Sequence, residues 1–182
     1  MKVTTTPIEG LLIVEPRIFP DDRGYFYESY NQKKYVDAGI TVDFVQDNQS
    51  SSSKGTLRGL HAQAPPFGQG KLVRVTQGKV IDVAVDIRKD SPTYGQHFKI
   101  ELSAENNLQF WIPEGFLHGF YTLEDDTVFA YKITNFYDKA SEIGAKITDP
   151  ALNIDWGFST DNVLLSAKDE VLPDFKDFVS PF

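Results

Sequence analysis

The sequence predicts a mainly all-β protein, an antiparallel sandwich or barrel with a few short helices. Short apolar segments alternate with turn-forming residues along most of the 182 residues, and long helical patterns do not separate them. The chain is also rich in aromatic residues, with 14 Phe and 8 Tyr, which favour strands. Strands at this spacing form antiparallel sheets that pack face to face or close into a barrel.

The first part of the chain combines short strands with one helical segment. Residues 11–19 predict an early strand interrupted at Pro16, and residues 25–30 predict a second strand. Residues 31–39 predict a short helix that begins at an Asn N-cap and stops at a Gly. We expect little helix beyond this segment.

The middle of the chain is predicted to be almost entirely strand. Residues 42–49 run into a polar segment, residues 50–55, which we interpret as a hairpin turn or mobile loop. Residues 80–87 alternate most clearly: one face is apolar, and the other carries Asp82 and Asp86. One face is expected to pack, while the other could line a cavity. Further strands are predicted at residues 71–76, 96–102, 108–112, 116–123, 127–137 and 163–166.

Composition excludes several kinds of protein. We expect a single domain over residues 1–182, because a chain of this size can bury a sizeable core. A net charge of −8 argues against nucleic-acid or membrane partners, which require a broad basic surface. The chain has no Cys, which excludes disulfides and thiolate sites and fits a cytoplasmic setting. The first residues lack the apolar run of a signal peptide.

Residues 55–75 bring together three groups suited to an anionic ligand that carries a carbonyl. Arg58 offers a planar fork for phosphate, His61 titrates near neutrality, and Lys71 can stabilise an oxyanion. By themselves, an Arg and a Lys in such a segment are more often plain surface charges. The other motifs of the chain favour a site.

One of these motifs bears on metal binding. Residues 112–120 contain a Pro-x-Gly turn followed three residues later by His118, similar to the second sequence motif of cupin jelly rolls. A companion His-x-His is missing, so a three-His site would need His61, His97 and His118 together. We expect no metal, and we interpret His97 as a surface or satisfied strand residue.

Residues 127–137 contain two tyrosines that a regular strand would place on one face. Tyr131 and Tyr137 would then lie about 20 Å apart and serve opposite ends of a long ligand. The alternative is a packed aromatic face, which is the more common role of a single strand Tyr.

Nine short motifs follow one another in a definite order. They are RGYFYE at 23–28, FVQDN at 44–48, GTLRGLHAQ at 55–63, KLVRVTQ at 71–77, DVAVDIR at 82–88, SPTYG at 91–95, IPEGFLHGF at 112–120, YK at 131–132 and SAKD at 166–169. In this order they resemble the dTDP-4-dehydrorhamnose 3,5-epimerase family from nearly end to end. The resemblance implies a homodimeric, cofactor-independent cupin-type jelly roll. The implied reaction epimerises dTDP-4-dehydro-6-deoxy-D-glucose at C3 and C5 to dTDP-4-dehydro-L-rhamnose, in dTDP-L-rhamnose biosynthesis.

The resemblance also implies an organisation of the chain and roles for its residues. An N-terminal arm of about residues 1–50 would contribute to dimer contacts, before a core of about 51–140 and a C-terminal segment of about 141–182. The catalytic roles would be His61 as base, Tyr131 as acid, Asp169 orienting His61, and Lys71 at the C4 oxygen. The implied substrate contacts are Arg23, Glu28, Gln46, Asp47, Asn48, Arg58, Lys71, His118, Glu142, Lys168 and, by stacking on thymine, Tyr137.

Physical chemistry supports the catalytic roles without the resemblance. Inverting a carbon beside a ketone needs a base on one face, an acid on the other and a charge to hold the enolate. His61 suits the first task, and Tyr131, with an ordinary pKa of about 10, stays protonated for the second. Lys71 supplies the positive charge. Asp82, on the polar face of its strand, is an alternative to Asp169 as partner of His61, or could neutralise Lys71.

Two further points stay open in the sequence. Arg23 belongs to the arm, which in this family crosses to the partner subunit, so we expect each active site to contain residues of both subunits. Phe19 and Phe26 either line the nucleoside site or pack in the core. Ala62 stands where a bulkier residue is common, which leaves the exact ketosugar open. The alternatives are a mono-epimerase on a related dTDP-4-keto-6-deoxysugar and a non-catalytic cupin that binds a nucleotide sugar.

Overall fold

The computed structural model describes residues 1–157 and 163–182. Its strands are β1 (Lys2–Thr5), β2 (Leu12–Glu15), β3 (Phe19–Asp21), β4 (Gly24–Phe26), β5 (Gln46–Ser52), β6 (Leu57–Gln63), β7 (Lys71–Gln77), β8 (Lys79–Asp86), β9 (His97–Ser103), β10 (Gln109–Ile112), β11 (Phe116–Thr122), β12 (Thr127–Ile133) and β13 (Glu142–Gly144). The helices are α1 (Gln32–Asp37), α2 (Ala167–Glu170) and short 3-10 turns at Lys139–Ser141, Pro150–Leu152 and Phe175–Asp177. In the described ranges, no helix is long and apolar enough to cross a bilayer.

The strands form two antiparallel sheets that pack face to face. The larger sheet has six strands in the order β1-β2-β10-β7-β12-β5, and the smaller has five in the order β13-β6-β11-β8-β9. Strands β3 and β4 pair separately as a small hairpin. The prediction of a mainly all-β, cupin-type antiparallel jelly roll is confirmed.

Apolar side chains fill the space between the sheets and cover both outer faces. Phe110 and Phe129 of the larger sheet pack with Ala84 and Phe120 of the smaller one in the central cluster. The predicted alternation of β8 is confirmed. Val83, Val85 and Ile87 point away from the other sheet and pack beneath the C-terminal segment, where Trp156 is buried. Asp82 lies on the opposite face of β8, with Ala84, and points towards the space between the sheets.

Helix α1 covers the outer face of the larger sheet and forms where the sequence predicts it. The side chain of Asn31 accepts a hydrogen bond from the backbone N–H of Lys34, which caps the first turn. The helix is followed by Gly39 at φ +92°, a backbone conformation that glycine adopts without strain. Tyr35 is buried against the sheet beside Trp111, so one aromatic side chain anchors the helix.

Several predicted elements differ from the structure. The strand predicted at residues 25–30 ends at Phe26, and the strand predicted at residues 42–49 begins only at Gln46. Residues 50–52 belong to β5 and pair with β12, so the prediction of a turn or loop there was wrong. Strand β12 ends at Ile133, which removes Tyr137 from the regular strand that was predicted to reach it. In the predicted strand 163–166, Leu164 makes only an isolated parallel bridge to Thr56.

Candidate active site

Two adjoining cavities open between the sheets. One, of about 280 Å³, is lined by Arg58, His61, Lys71, His118, Tyr131, Lys168 and Asp169 among others. The second, of about 290 Å³, shares His61, Lys71 and Tyr131 and continues towards Gln46, Asn48, Tyr137 and Glu142. The shared residues make the two cavities parts of one elongated site.

The His61 and Asp169 side chains form a hydrogen-bonded pair in this site. The Nε2 atom of His61, on β6, lies 2.6 Å from Oδ1 of Asp169, on α2. Burial by itself would raise the pKa of Asp169, but the hydrogen bond and charge of His61, with bonds from Ser166 and the Gly59 backbone, hold it below its ordinary value. A carboxylate can only accept, so neutral His61 carries its proton on Nε2 and presents Nδ1 as the free base.

A bulge in β6 precedes His61. The pairing of β6 with β11 shifts register between His118 and Phe120, opposite Gly59. Gly59 has φ +112°, and a Cβ there would lie 2.6 Å from the backbone oxygen of His118. Only glycine fits this approach, and the bulge sets the directions of Arg58 and His61.

Lys71 enters the site from β7 in the opposite sheet. Its ammonium lies 3.5 Å from the backbone oxygen of His61. Burial lowers the pKa of Lys71 from 10.5 to about 8, against the opposing charges of Asp82 and Glu142. At neutral pH the amine is therefore mainly charged, yet desolvated enough to act strongly on a developing negative charge.

Tyr131 projects from β12 of the same sheet as Lys71. It packs against the central cluster beside Phe129 and lines both cavities. Burial raises the pKa of the Tyr131 phenol, and the charge of Arg58 only partly offsets this. The phenol is thus a stable proton donor that faces His61 from the other sheet.

His118 belongs to a second His–carboxylate pair. Its Nε2 atom lies 2.9 Å from Oδ2 of Asp82, which is completely buried on β8. The structure therefore pairs Asp169 with His61 and Asp82 with His118, while the charge of Asp82 also acts on Lys71. This settles which carboxylate touches which imidazole, a choice that the sequence leaves open.

The far end of the site is organised by Glu142. Its carboxylate accepts from the Tyr137 hydroxyl at 3.1 Å and forms an ion pair with Lys168. Burial would raise the pKa of Glu142, but the bond and charge of Lys168 keep it below the ordinary value. Because β12 ends before Tyr137, that exposed ring reaches the site from the following loop and not from the strand.

Strand β5 supplies a polar edge to the site. Gln46 donates to Asn48, and both line the second cavity. Asp47 points the other way and pairs with Lys132 on the outer face. Arg58 donates to Ser52 Oγ at 3.1 Å, so the serine run that looked like a loop instead positions an arginine. The poor strand propensity of serine hid this role, and residues 46–52 are all polar, so no apolar alternation marks the strand in the sequence.

Besides Asp47, four residues predicted at the site lie elsewhere in this chain. Arg23 is 89% exposed and bonds Asp21 in the β3–β4 hairpin, and Glu28 pairs with Lys34 of α1. Phe19 and Phe26 contact each other with tilted rings whose centroids lie 6.3 Å apart, and both are exposed, so neither packs in the core of this chain. None of these four residues lines the two cavities.

His97 stands apart from the other two histidines. It is partly buried on β9 and hydrogen-bonded to the backbone of Leu152, and burial lowers its pKa. Across the residues that the structure describes, no group of three or more His, Asp or Glu side chains is arranged to hold a metal ion.

Comparisons with known proteins agree with this geometry. The family model described as dTDP-4-dehydrorhamnose 3,5-epimerase matches residues 5–177. The chain is 55% identical over 170 residues to the enzyme of that name from Shigella flexneri, covering 93% of each, and 51% identical over 178 residues to that from Pseudomonas aeruginosa, covering 97% of each. It is similar, at a TM-score of 0.93 and 50% identity, to a crystal structure of dTDP-6-deoxy-D-glucose-3,5-epimerase from Legionella pneumophila Philadelphia 1 in complex with dTDP-4-keto-L-rhamnose; the match covers 98% of this chain and 94% of that one.

Proposed function

The chain belongs to the dTDP-4-dehydrorhamnose 3,5-epimerase family, and from that premise we propose that it epimerises dTDP-4-dehydro-6-deoxy-D-glucose at C3 and C5, yielding dTDP-4-dehydro-L-rhamnose. The enzyme is an isomerase whose substrate is a small nucleotide sugar. The product would serve dTDP-L-rhamnose biosynthesis, in a cytoplasmic setting that fits the absence of cysteine.

One observation carries this proposal: a base and an acid enter the same cavity from opposite sheets. His61 comes from the five-stranded sheet and Tyr131 from the six-stranded sheet, and both line the cavity between them. A sugar ring held there would present one face to each residue. Inversion requires this arrangement, because the proton must leave one face of the carbon and return on the other.

The first half of each inversion is proton removal. His61 Nδ1 takes the proton from the carbon beside the ketone, and the C–H electron pair moves into the enolate, with negative charge on the C4 oxygen. The Lys71 ammonium stabilises that charge. Asp169 stabilises the imidazolium formed at His61 and keeps the ring oriented.

The second half is proton return. The Tyr131 hydroxyl donates its proton to the opposite face of the carbon, and the enolate collapses to the ketone. Solvent then restores the proton of Tyr131 and removes the extra proton from His61. Performing this sequence at C3 and at C5 gives the doubly inverted product without a cofactor.

The remaining residues would hold the nucleotide. Arg58 and Lys168 are the cations that line the cavity beside Lys71, and they suit the diphosphate. Tyr137 offers an exposed ring for thymine, and the residues that would contact the rest of the ligand are Gln46, Asn48, His118 and Glu142, which line the cavities. The side chain of Asp47 points to the outer face and is not proposed to contact the ligand.

We propose a homodimer with composite sites. Arg23, Glu28, Phe19 and Phe26 lie outside the cavities of their own chain, and the two phenylalanines expose apolar surface. An arm that reaches into the partner's site would bring these groups to the nucleotide. It would also account for an exposed aromatic hairpin on an otherwise well-packed chain.

Incubation with the ketosugar in D₂O, followed by NMR, tests the function. We expect deuterium at both C3 and C5, together with the inverted product. Exchange at a single carbon would identify a mono-epimerase, and tight dTDP binding without exchange would identify a non-catalytic cupin. A strong chelator should leave the rate unchanged, since the proposed steps use no metal.

A further inference from the structure

Among residues 1–157 and 163–182, Asp82 is a buried carboxylate beside the cavity to which the proposed steps give no direct role. Both of its oxygens lie within hydrogen-bonding distance of His118 Nε2, at 3.1 and 2.9 Å. Asp82 is 0% exposed and His118 is 8% exposed. The imidazole also packs nearly parallel to Phe129, with ring centroids 6.0 Å apart, so its orientation is fixed on two sides.

This geometry determines which nitrogen of His118 carries the proton. A carboxylate accepts and cannot donate, so Nε2 must be the N–H and Nδ1 must hold a lone pair. Burial lowers the pKa of His118; Asp82 opposes this effect, while the charges of Lys71 and His61 add to it. The ring is therefore neutral near pH 7, and Nδ1 is a hydrogen-bond acceptor.

An acceptor has a specific use in this cavity. Arg58, Lys71 and Lys168 can only donate, and they suit the phosphate oxygens and the ketone oxygen. A sugar hydroxyl needs an acceptor for its own proton. His118 lines the same cavity as Lys71, and the expected ketone would lie at Lys71.

We propose that Asp82 is a positioning residue that locks His118 as the acceptor for the C3 hydroxyl of the ketosugar, and so makes this hydroxyl a requirement for efficient turnover. The inference rests on the proposed function and adds a specificity determinant to it. Asp82 touches no reacting atom, and its proposed effect on specificity is exerted through His118, separately from its charge effect on Lys71.

The tautomer can be measured in the unmodified protein. With ¹⁵N-labelled histidine, NMR should show His118 protonated at Nε2 and unprotonated at Nδ1. The Nδ1 signal should move when dTDP-rhamnose, which carries hydroxyls but no ketone, is bound, and should stay in place with dTDP alone. A proton on Nδ1, or an equal change with dTDP alone, would overturn the proposal, because the nitrogen would then face phosphate.

Kinetics with a matched substrate pair separate positioning from a purely structural role. Asp82→Leu should lower kcat/KM for the natural ketosugar on the order of tenfold, the size expected for one lost hydrogen bond. At a pH well below the Lys71 pKa of about 8, loss of the Asp82 charge leaves Lys71 protonated. Exchange at C5 of the analogue lacking the C3 hydroxyl should then be unchanged. Asp86→Asn, which alters another buried carboxylate of β8, should leave the ratio between the two substrates as it is.

Equal losses on both substrates in Asp82→Leu would refute the proposal. If that variant does not fold, the NMR measurement on the unmodified protein still decides. Failure of the proposed function is distinct from either result: the unmodified protein would then show no exchange at C3 or C5, whatever the tautomer of His118.

Discussion

At the scale of single residues, the site depends on environments that set the charge of each group. Burial keeps Tyr131 protonated, so it can donate, and lowers the pKa of Lys71 to about 8. Asp169 stays ionised because His61 bonds it. Each of these states is the one that the proposed chemistry requires near neutral pH.

The lowered pKa of Lys71 predicts an alkaline limit to activity. As pH rises through about 8, Lys71 of the free enzyme loses the charge that holds the enolate, so kcat/KM should fall. Lys71→Met should lower kcat on the order of 10²-fold and remove this limb. A pH–rate profile of both proteins checks these effects. If the variant loses activity above pH 8 as the unmodified protein does, a group other than Lys71 causes the alkaline loss.

Stability should respond to the same group with the opposite sign. The folded-state pKa of Lys71, about 8, lies below the ordinary 10.5, so between these values the unfolded chain binds more protons. The contribution of Lys71 to stability therefore rises with pH across this window and is constant below it. Lys71→Met should lack this rise in urea melts at pH 8 and pH 10.

At the scale of elements, short segments place the catalytic groups. Helix α2 is four residues long, and the side chain of its N-cap, Ser166, accepts from the backbone N–H of Asp169 at 3.2 Å. The cap and the carboxylate that orients His61 thus lie on one turn. The one-turn helix α2 therefore carries Asp169, the residue that orients His61.

Removing this cap should affect catalysis more than stability. Ser166→Ala should cost about 1 kcal/mol of unfolding free energy and lower kcat, because Asp169 is no longer held against His61. The control is Ser103→Ala, which removes a turn-capping bond to the N–H of Asn106 outside the cavities. Melting and steady-state rates should show similar stability losses but a lower kcat only for Ser166→Ala. Equal kcat values in the two variants would contradict the role of the cap.

The same scale shows what sequence patterns can predict. The alternation of β8 and the cap of α1 follow from local chemistry, and both are present. Residues 50–52 were missed because serine favours turns, whereas pairing with β12 outweighs that preference. The proximity of His61 to Asp169, 108 residues apart, follows from tertiary packing and was suggested only by resemblance.

At the scale of the whole molecule, the two sheets create the site. The exposed β3–β4 hairpin of the N-terminal arm is proposed to complete the site of a partner subunit. The sheets bring His61 and Tyr131 to one cavity from opposite sides. Arg23, by contrast, lies on a solvent-exposed hairpin and lines neither cavity. A second copy of the chain would supply what the single chain lacks.

Subunit mixing tests whether the arm acts in trans. Arg23→Ala should raise KM on the order of tenfold through loss of a charged contact, and His61→Ala should be inactive. If Arg23 serves the partner's site, a mixed dimer contains one site with both His61 and Arg23 intact. Mixing the two variants after unfolding should then restore activity at low substrate. Activity no higher than that of the separate variants would show that the arm serves its own chain or none.

The most direct test of the central claim, that a His61 base and a Tyr131 acid work from opposite sheets, is a comparison of exchange with inversion. In D₂O, His61→Ala should incorporate no deuterium at C3 or C5, because no base remains. Tyr131→Phe should still incorporate deuterium, while its inversion rate falls on the order of 10²-fold, because the base survives and the acid is lost. Equal and complete loss of exchange in both variants would contradict this division of labour.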